Sequence, residues 1–185
     1  MKMHDKNGLR RRVAALIYSI KTMPDGSKKL AVILHSRGEY DFEKNQPETF
    51  PYLFQPSCHG KLDGKERLMT ALKREMSEEI GGRFCEKAWP LMKFSKVYEE
   101  KKHDRRTITY ATFIPFEPLK LLQLWSGSAG FAFVTKEEFE HRAIGVCTPS
   151  AAATIDLRMA HICMIADELV AVNNGFELFR NKVRK

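Results

Sequence analysis

Between Gly60 and Gly82 the chain reads GKLDGKERLMTALKREMSEEIGG, which sets Glu66, Arg74, Glu75, Glu78 and Glu79 at fixed intervals inside one amphipathic pattern. Successive residues of an α-helix turn by about 100°, so Glu75, Glu78 and Glu79 fall within about 100° of arc, with Arg74 about 40° beyond Glu78. Met69, Leu72, Met76 and Ile80 occupy the adjoining arc. They would seat the helix on a sheet and leave the acidic edge at the border between core and solvent. Like charges at these spacings disfavour an isolated helix by about 0.2–0.5 kcal/mol per pair, and the macrodipole disfavours those near its C-terminus. A hard divalent cation would compensate. Mg²⁺ takes one or two carboxylates and leaves its other positions to water and substrate phosphates, which makes an acidic site attractive to a polyphosphate. The alternative is a solvated face paired with Lys73 or Arg74.

The complete spacing favours the cation. Gly60 is followed by five residues, Glu66, seven residues, Arg74-Glu75-Met76, one residue, Glu78-Glu79, one residue and Gly81. This closely resembles the signature of the Nudix hydrolases, G-x5-E-x7-R-E-U-x-E-E-x-G-U with U aliphatic, at every position but the last, where Gly82 stands. The missing aliphatic is expected to loosen packing after the helix. The resemblance implies an α/β (α+β) Nudix fold, a mixed β-sheet sandwiched between α-helices, with the signature as loop, helix and loop. It further implies that Glu75, Glu78 and Glu79, with the main-chain carbonyl of Gly60, hold Mg²⁺ or Mn²⁺. Arg74 would orient Glu75 and Glu66 would support the start of the helix, while Glu79 or Glu78 could take a proton. The implied reaction is hydrolysis of a diphosphate (pyrophosphate) linkage in a nucleoside diphosphate derivative or a nucleoside triphosphate.

Such enzymes also use a glutamate outside the signature as base or extra ligand, for which Glu99, Glu100, Glu117, Glu137 and Glu138 are the candidates. Arg37, Arg105 and Arg106 could hold substrate phosphates, and the aromatics Tyr40, Phe42, Phe50, Tyr52 and Phe54 could stack on a base. Two rivals belong beside this reading. Cys58 and His59 faintly resemble the cysteine-histidine site of isopentenyl diphosphate isomerase, a Nudix-fold relative, but without the proline that follows the histidine there. A nucleotide- or RNA-binding Nudix protein with little catalysis rests on net charge alone, for no RNA-binding motif is present.

The surrounding pattern supplies the elements that must position these residues. RRVAALIYSIK and KKLAVILHSR are β-rich runs joined by TMPDGS, whose Pro-Asp-Gly order predicts a turn and so a hairpin. Residues 38–57 read as a binding loop running into a short strand near FQPSC. PLMKFSKVYEE and RTITYATFIPF read as strands around the basic loop KKHDRR, and GFAFVTKEEFEHR as a strand entering a short helix. A last long helix is expected from Thr148 and Pro149, its apolar stripe running from Ile155 through Met159, Ile162, Cys163, Ala166, Leu169 and Val170 until Asn173, Asn174 and Gly175 end it.

With 185 residues, 43% hydrophobic and 29% charged, the composition fits one globular domain with a core at about 10–172 and a basic tail at 176–185. No apolar run approaches a membrane span and the N-terminus lacks the pattern of a signal peptide, so a soluble cytoplasmic protein is expected. Cys58, Cys85, Cys147 and Cys163 have no CxxC pairing and read as reduced thiols. The net charge of +8 gathers at Arg10–Arg12, at Lys101, Lys102, Arg105 and Arg106, and at the C-terminus, reading mainly as a solvated surface with basic ends. Such a surface also attracts polyanions, whether a phosphate-rich metabolite or RNA. Family resemblance allows a homodimer.

Overall fold

The computed structural model describes residues 9–41, 45–48, 51–102, 104–123, 128–145 and 162–183. Strands β1 (Arg10–Thr22) and β2 (Lys28–Arg37) form the expected antiparallel hairpin, and Gly26 in its turn takes a positive φ of 80°. β1 is buried from Val13 to Ser19 on both faces, as a central strand must be, and its continuous apolar run suits that position. On its other side it pairs in parallel with β8 (Arg105–Phe113), itself hairpinned to β7 (Ser95–Lys102). The expected basic loop is therefore mostly strand, with Lys101, Lys102, Arg105 and Arg106 facing one another across the ladder.

Short strands complete the seven-stranded mixed sheet: β5 (Phe54–Gln55) and β9 (Ser128–Thr135) on β2, and β6 (Cys58–Lys61) on β1. β1 pairs with β2 only from Ile17 onward and with β6 from Arg12 to Ala15, so the first two strands part at Ile17. The buried Ser57 hydroxyl fills the fork. It accepts a hydrogen bond from the Ile17 N–H at 2.9 Å and donates one to the Ile33 carbonyl at 2.6 Å, replacing two lost ladder partners. Strands β3 (Tyr40–Asp41) and β4 (Gln46–Pro47) make a separate small hairpin inside the stretch read as a binding loop.

Helix α1 (Leu68–Ile80) carries the signature glutamates. It buries Ala71, Leu72, Met76 and Ile80 against Val13, Ala15 and Ile17, and burying such a Leu or Met side chain contributes about 1.5–3 kcal/mol. Gly81, at a φ of 107°, turns the chain at once into α2 (Gly82–Ala88), whose Phe84 is fully buried. Packing after the signature is thus not loosened at Gly82; Phe84 supplies it. On the opposite face α3 (Lys136–Arg142) and α4 (Ala166–Phe179) cover Leu16, Tyr18, Val32 and Leu34. The sheet is sandwiched between helices, as expected for this α+β architecture.

The C-terminal region departs from expectation. Residues 146–161, with Thr148, Ile155 and Met159 of the expected helix, lie outside the described residues. Ile162–Met164 is not helical but a strand, β11, paired in parallel with β10 (Ala143–Gly145). The helix begins only at Ala166 and runs straight through Asn173, Asn174 and Gly175. Gly175 is required there: a Cβ would lie 2.2 Å from the Tyr18 hydroxyl, which donates a 2.7 Å hydrogen bond to the Val172 carbonyl. Asn174 donates to the Val97 carbonyl at 2.9 Å. Residues 176–183 are likewise no loose tail, since Phe176 and Phe179 are buried on Tyr18 and only the following turn is basic.

Candidate active site

α1 and β6 meet edge to edge, and the meeting is made by two consecutive residues. At Gly60 the Glu75 carboxyl lies against the bare backbone; a Cβ there would come within 1.8 Å of Glu75 Cδ. At His59 the backbone N–H donates to Glu79 Oε2 at 2.8 Å, and the ring Nδ1 stands 3.4 Å from Glu79 Oε1. Glycine at position 60 is therefore a packing requirement of the carboxylate opposite it.

Arg74 organises the other side. Its guanidinium is 3.0 Å from Glu75 and 3.0 Å from Glu78, and donates to Glu66 at 3.1 and 3.3 Å and to the Lys61 carbonyl at 2.9 Å. Glu66 also accepts from the Asp63 N–H at 3.0 Å, so it ties the loop before α1 to the helix. Glu78 lies more exposed, at 56% of its side chain, against 13% for Glu75 and 18% for Glu79. The structure thus brings Glu66, Arg74, Glu75, Glu78, Glu79 and Gly60 together.

Electrostatics divide the carboxylates. Burial pushes the Glu75 carboxyl up to about 7; Arg74 opposes this, while Glu79 and Glu78 reinforce it by like charge. Burial acts the same way on Glu79, but the charge and hydrogen bonds of His59 outweigh it and hold Glu79 below the usual range. The His59 imidazole is raised in turn, Glu79 prevailing over desolvation. Among the described residues no three His, Cys, Asp or Glu side chains are drawn around a single point as a preformed metal cage. The fit to a divalent cation lies instead in the oxygen-only donors and in the Glu75 carboxyl, whose ionised form Arg74 compensates only in part and a hard cation would compensate further.

A cleft opens beside this edge on the face of the sheet away from α1. Alternate strand residues share that face: Arg12 and Ala14 of β1, Arg105, Thr107 and Thr109 of β8, and Tyr98 and Glu100 of β7, with His59 and Gly60 at one side and Ile165, Asp167 and Glu168 from the start of α4 at another. Of the three arginines considered for substrate phosphates, Arg37 and Arg105 line the cleft. Arg106 does not. It points to the opposite face and is engaged by Glu99 at 2.8 Å. Of the aromatics at 38–57, Phe42 and Phe50 lie outside the described residues, and Tyr40, Tyr52 and Phe54 are not among the residues lining the cleft.

The glutamates considered outside the signature are mostly engaged structurally. Glu99 pairs with Arg106 and Lys96, Glu117 with Lys120, and Glu137 with Lys29. Glu138 accepts from the Thr135 N–H while Thr135 accepts from its own, a capping box for α3 reinforced by Lys21. Glu100 alone lines the cleft, paired with Lys102. The residue missed is Glu168. Burial pushes its carboxyl up to about 7, and its Oε2 has no hydrogen-bond partner among the described residues. An acidic first turn, Asp167-Glu168, was its legible signal, hidden because one longer helix was expected across it.

No family model and no curated protein matches this sequence. Solved structures do. A MutT/Nudix family protein from Listeria innocua aligns over 97% of this chain and 97% of its own, at 14% identity and a TM-score of 0.59. The Nudix domain of Shewanella oneidensis NrtR, solved in complex with ADP ribose, aligns over 96% and 94% at 12% identity and a TM-score of 0.54. A Nudix-family hydrolase from Clostridium perfringens aligns over 92% and 97% at 15% identity and a TM-score of 0.50. The chain therefore has the fold of these Nudix proteins. No helix among its described residues is long and apolar enough to cross a membrane.

Proposed function

We propose that this chain is a metal-dependent Nudix hydrolase that cleaves a diphosphate linkage in a nucleoside diphosphate derivative or a nucleoside triphosphate. The observation that carries it is the Gly60–Glu75 contact: the first glycine of the signature stands where a buried carboxylate needs bare backbone. Glu75, Glu78 and Glu79, with the Gly60 carbonyl, would hold Mg²⁺ or Mn²⁺. Bound there, the cation supplies Lewis-acid stabilisation of the phosphoryl and leaving oxygens and acidifies the attacking water.

The chain's own groups do the rest. Arg74 fixes the Glu75 rotamer through a charge-assisted bond, and Glu66 fixes Arg74. Water oxygen bonds to phosphorus, the bridging P–O bond breaks, and the water proton passes to a carboxylate. Glu168 Oε2 suits that acceptor, having no hydrogen-bond partner among the described residues and titrating near 7 in a cleft that reaches Gly60. The ADP-ribose complex of a neighbour with this fold supports a nucleoside diphosphate derivative as substrate. The isomerase alternative loses its main support, because the Cys58 thiol is completely buried, and that burial drives its pKa well up.

The test is a screen of nucleoside diphosphate derivatives and nucleoside triphosphates with Mg²⁺ or Mn²⁺ in ¹⁸O water, products being identified by mass. Metal-dependent release of ¹⁸O-labelled phosphate products, lost in Glu79→Gln, is expected. Isomerisation of isopentenyl diphosphate without hydrolysis, or salt-sensitive RNA binding unchanged in Glu79→Gln and no turnover, would overturn it.

A further inference from the structure

The cleft holds more positive charge than its own carboxylates answer. Arg12 projects from β1 on the same face as Thr107 and Thr109, and Arg105 stands two residues before Thr107 on that face; Arg37 enters from β2. Arg37 is matched, with Glu48 at 2.7 Å and Gln55 at 2.9 Å. The cleft's acids are occupied elsewhere: Glu100 and Asp167 both hold Lys102, and Glu168 is half-protonated near neutral pH. Arg105 comes no closer to a carboxylate than 3.8 Å, and its buried Nε has no partner among the described residues. Arg12 has no ion-pair or hydrogen-bond partner there either, although it is half-buried. Its guanidinium is lowered from the ordinary value by burial and then by the charges of Arg105, Arg37 and Arg10, against a smaller opposing pull from Asp104.

Arginines brought together with their solvation reduced and no carboxylate in close contact are costly, and a dianion accepting several N–H bonds offsets that cost. The cleft offers little to a nucleobase. Its described lining residues include no Phe or Trp; the Tyr98 hydroxyl is already bonded to Asp167 at 3.3 Å, and the His59 ring stands against Glu79.

We propose that Arg12 and Arg105, with Arg37 beside them, form a subsite for a phosphomonoester that the substrate carries in addition to the diphosphate it loses. The diphosphate part rests on the hydrolase function above; the phosphomonoester subsite does not require it. The substrate class is then a diphosphate bearing a further terminal phosphate, discriminated from its dephosphorylated analogue by the arginines.

Two measurements separate the claims. Phenyl phosphate titrated into metal-free protein, followed by ³¹P NMR, should bind the wild type and bind about tenfold more weakly to Arg12→Gln and to Arg105→Gln, the loss of a charge-assisted bond. Arg12→Lys should retain part of the affinity, and Arg106→Gln, on the opposite face, should retain all of it. With Mg²⁺, turnover of NADPH against NADH and of coenzyme A against its 3′-dephospho form should favour the phosphorylated member of at least one pair, and Arg12→Gln should erase the preference through KM. Phenyl phosphate that fails to bind, or binds equally to Arg12→Gln and Arg105→Gln in folded form, overturns the subsite whatever the turnover shows. Turnover of no substrate beside intact arginine-dependent binding sinks the hydrolase function and leaves the subsite standing.

Discussion

Glu75 offers a perturbation whose effect grows with pH. Burial, with the like charges of Glu79 and Glu78 and against the pull of Arg74, raises its carboxyl from an ordinary 4.5 to about 7. That difference corresponds to about 3 kcal/mol against the ionised form in the folded state. Below the unfolded value both states hold the proton and the penalty is absent. As pH rises from there to about 7, the folded chain keeps a proton that the unfolded chain has released, so stability falls; above about 7 the whole penalty is present. Glutamine carries no charge at any pH and still accepts a hydrogen bond from Arg74.

Glu75→Gln is therefore expected to be close to the wild type in stability near about pH 5 and more stable by up to about 3 kcal/mol near about pH 8.5. For a chain of this size that is roughly 6–12 °C in Tm by differential scanning calorimetry. Divalent ion should close most of this gap. Mg²⁺ at about a hundred times its Kd adds about 2.7 kcal/mol to a protein that binds it only when folded, and the gain should belong to the wild type and not to the variant. A variant less stable than the wild type by the same margin at both pH values, together with a wild type indifferent to Mg²⁺, would refute both the charge frustration at Glu75 and its relief by a cation.

Four further outcomes can be checked. Gly60→Ala should leave the fold intact but displace the Glu75 carboxylate, abolishing Mg²⁺ binding in calorimetric titration. At saturating Mg²⁺, kcat/KM should rise with pH towards a plateau above about 7 as Glu168 loses its proton, while Glu168→Gln should flatten this limb and lower the plateau by about 10²–10⁴-fold. Ser57→Ala, which orphans the Ile17 N–H and the Ile33 carbonyl at the strand fork, should cost about 1–3 kcal/mol in urea unfolding. Gly175→Ala should cost about 1–3 kcal/mol by driving a methyl into the Tyr18 hydroxyl, and Tyr18→Phe should recover part of it in the double variant.

The acidic edge was legible because its information is local. Thirteen residues of α1 carry both the apolar stripe and the carboxylates, so helical spacing alone places Glu75, Glu78 and Glu79 relative to Leu72 and Met76. The hairpin of β1 and β2 was legible for the same reason, its Pro-Asp-Gly turn lying between two apolar runs. What failed was set by distant partners. Ile162–Met164 fits a helical stripe in sequence, yet pairing with Ala143–Gly145 makes it a strand, and helical phase restarts at Ala166. Asn173, Asn174 and Gly175 carry helix-ending chemistry, but Tyr18 and Val97 need a missing Cβ and an amide there.

The same distinction explains why the arrangement of the basic residues was less legible than that of the acidic ones. Arg10, Arg11 and Arg12 are neighbours in sequence and read together as a solvated cationic end, but a strand sends consecutive side chains to opposite faces. Only the parallel register of β1 on β8, which sets Arg12 beside Thr107 and Arg10 beside Arg105, decides which arginines share the cleft. That register also removes Arg106, one residue along and hence on the other face, where Glu99 holds it. The two halves of the site therefore come from different levels of structure. A single helix supplies the carboxylates, and strand pairing between distant segments supplies the cations that would choose what those carboxylates act upon. Substitutions that shift the β1–β8 register should thus disturb phosphate binding while leaving α1 and its carboxylate edge folded.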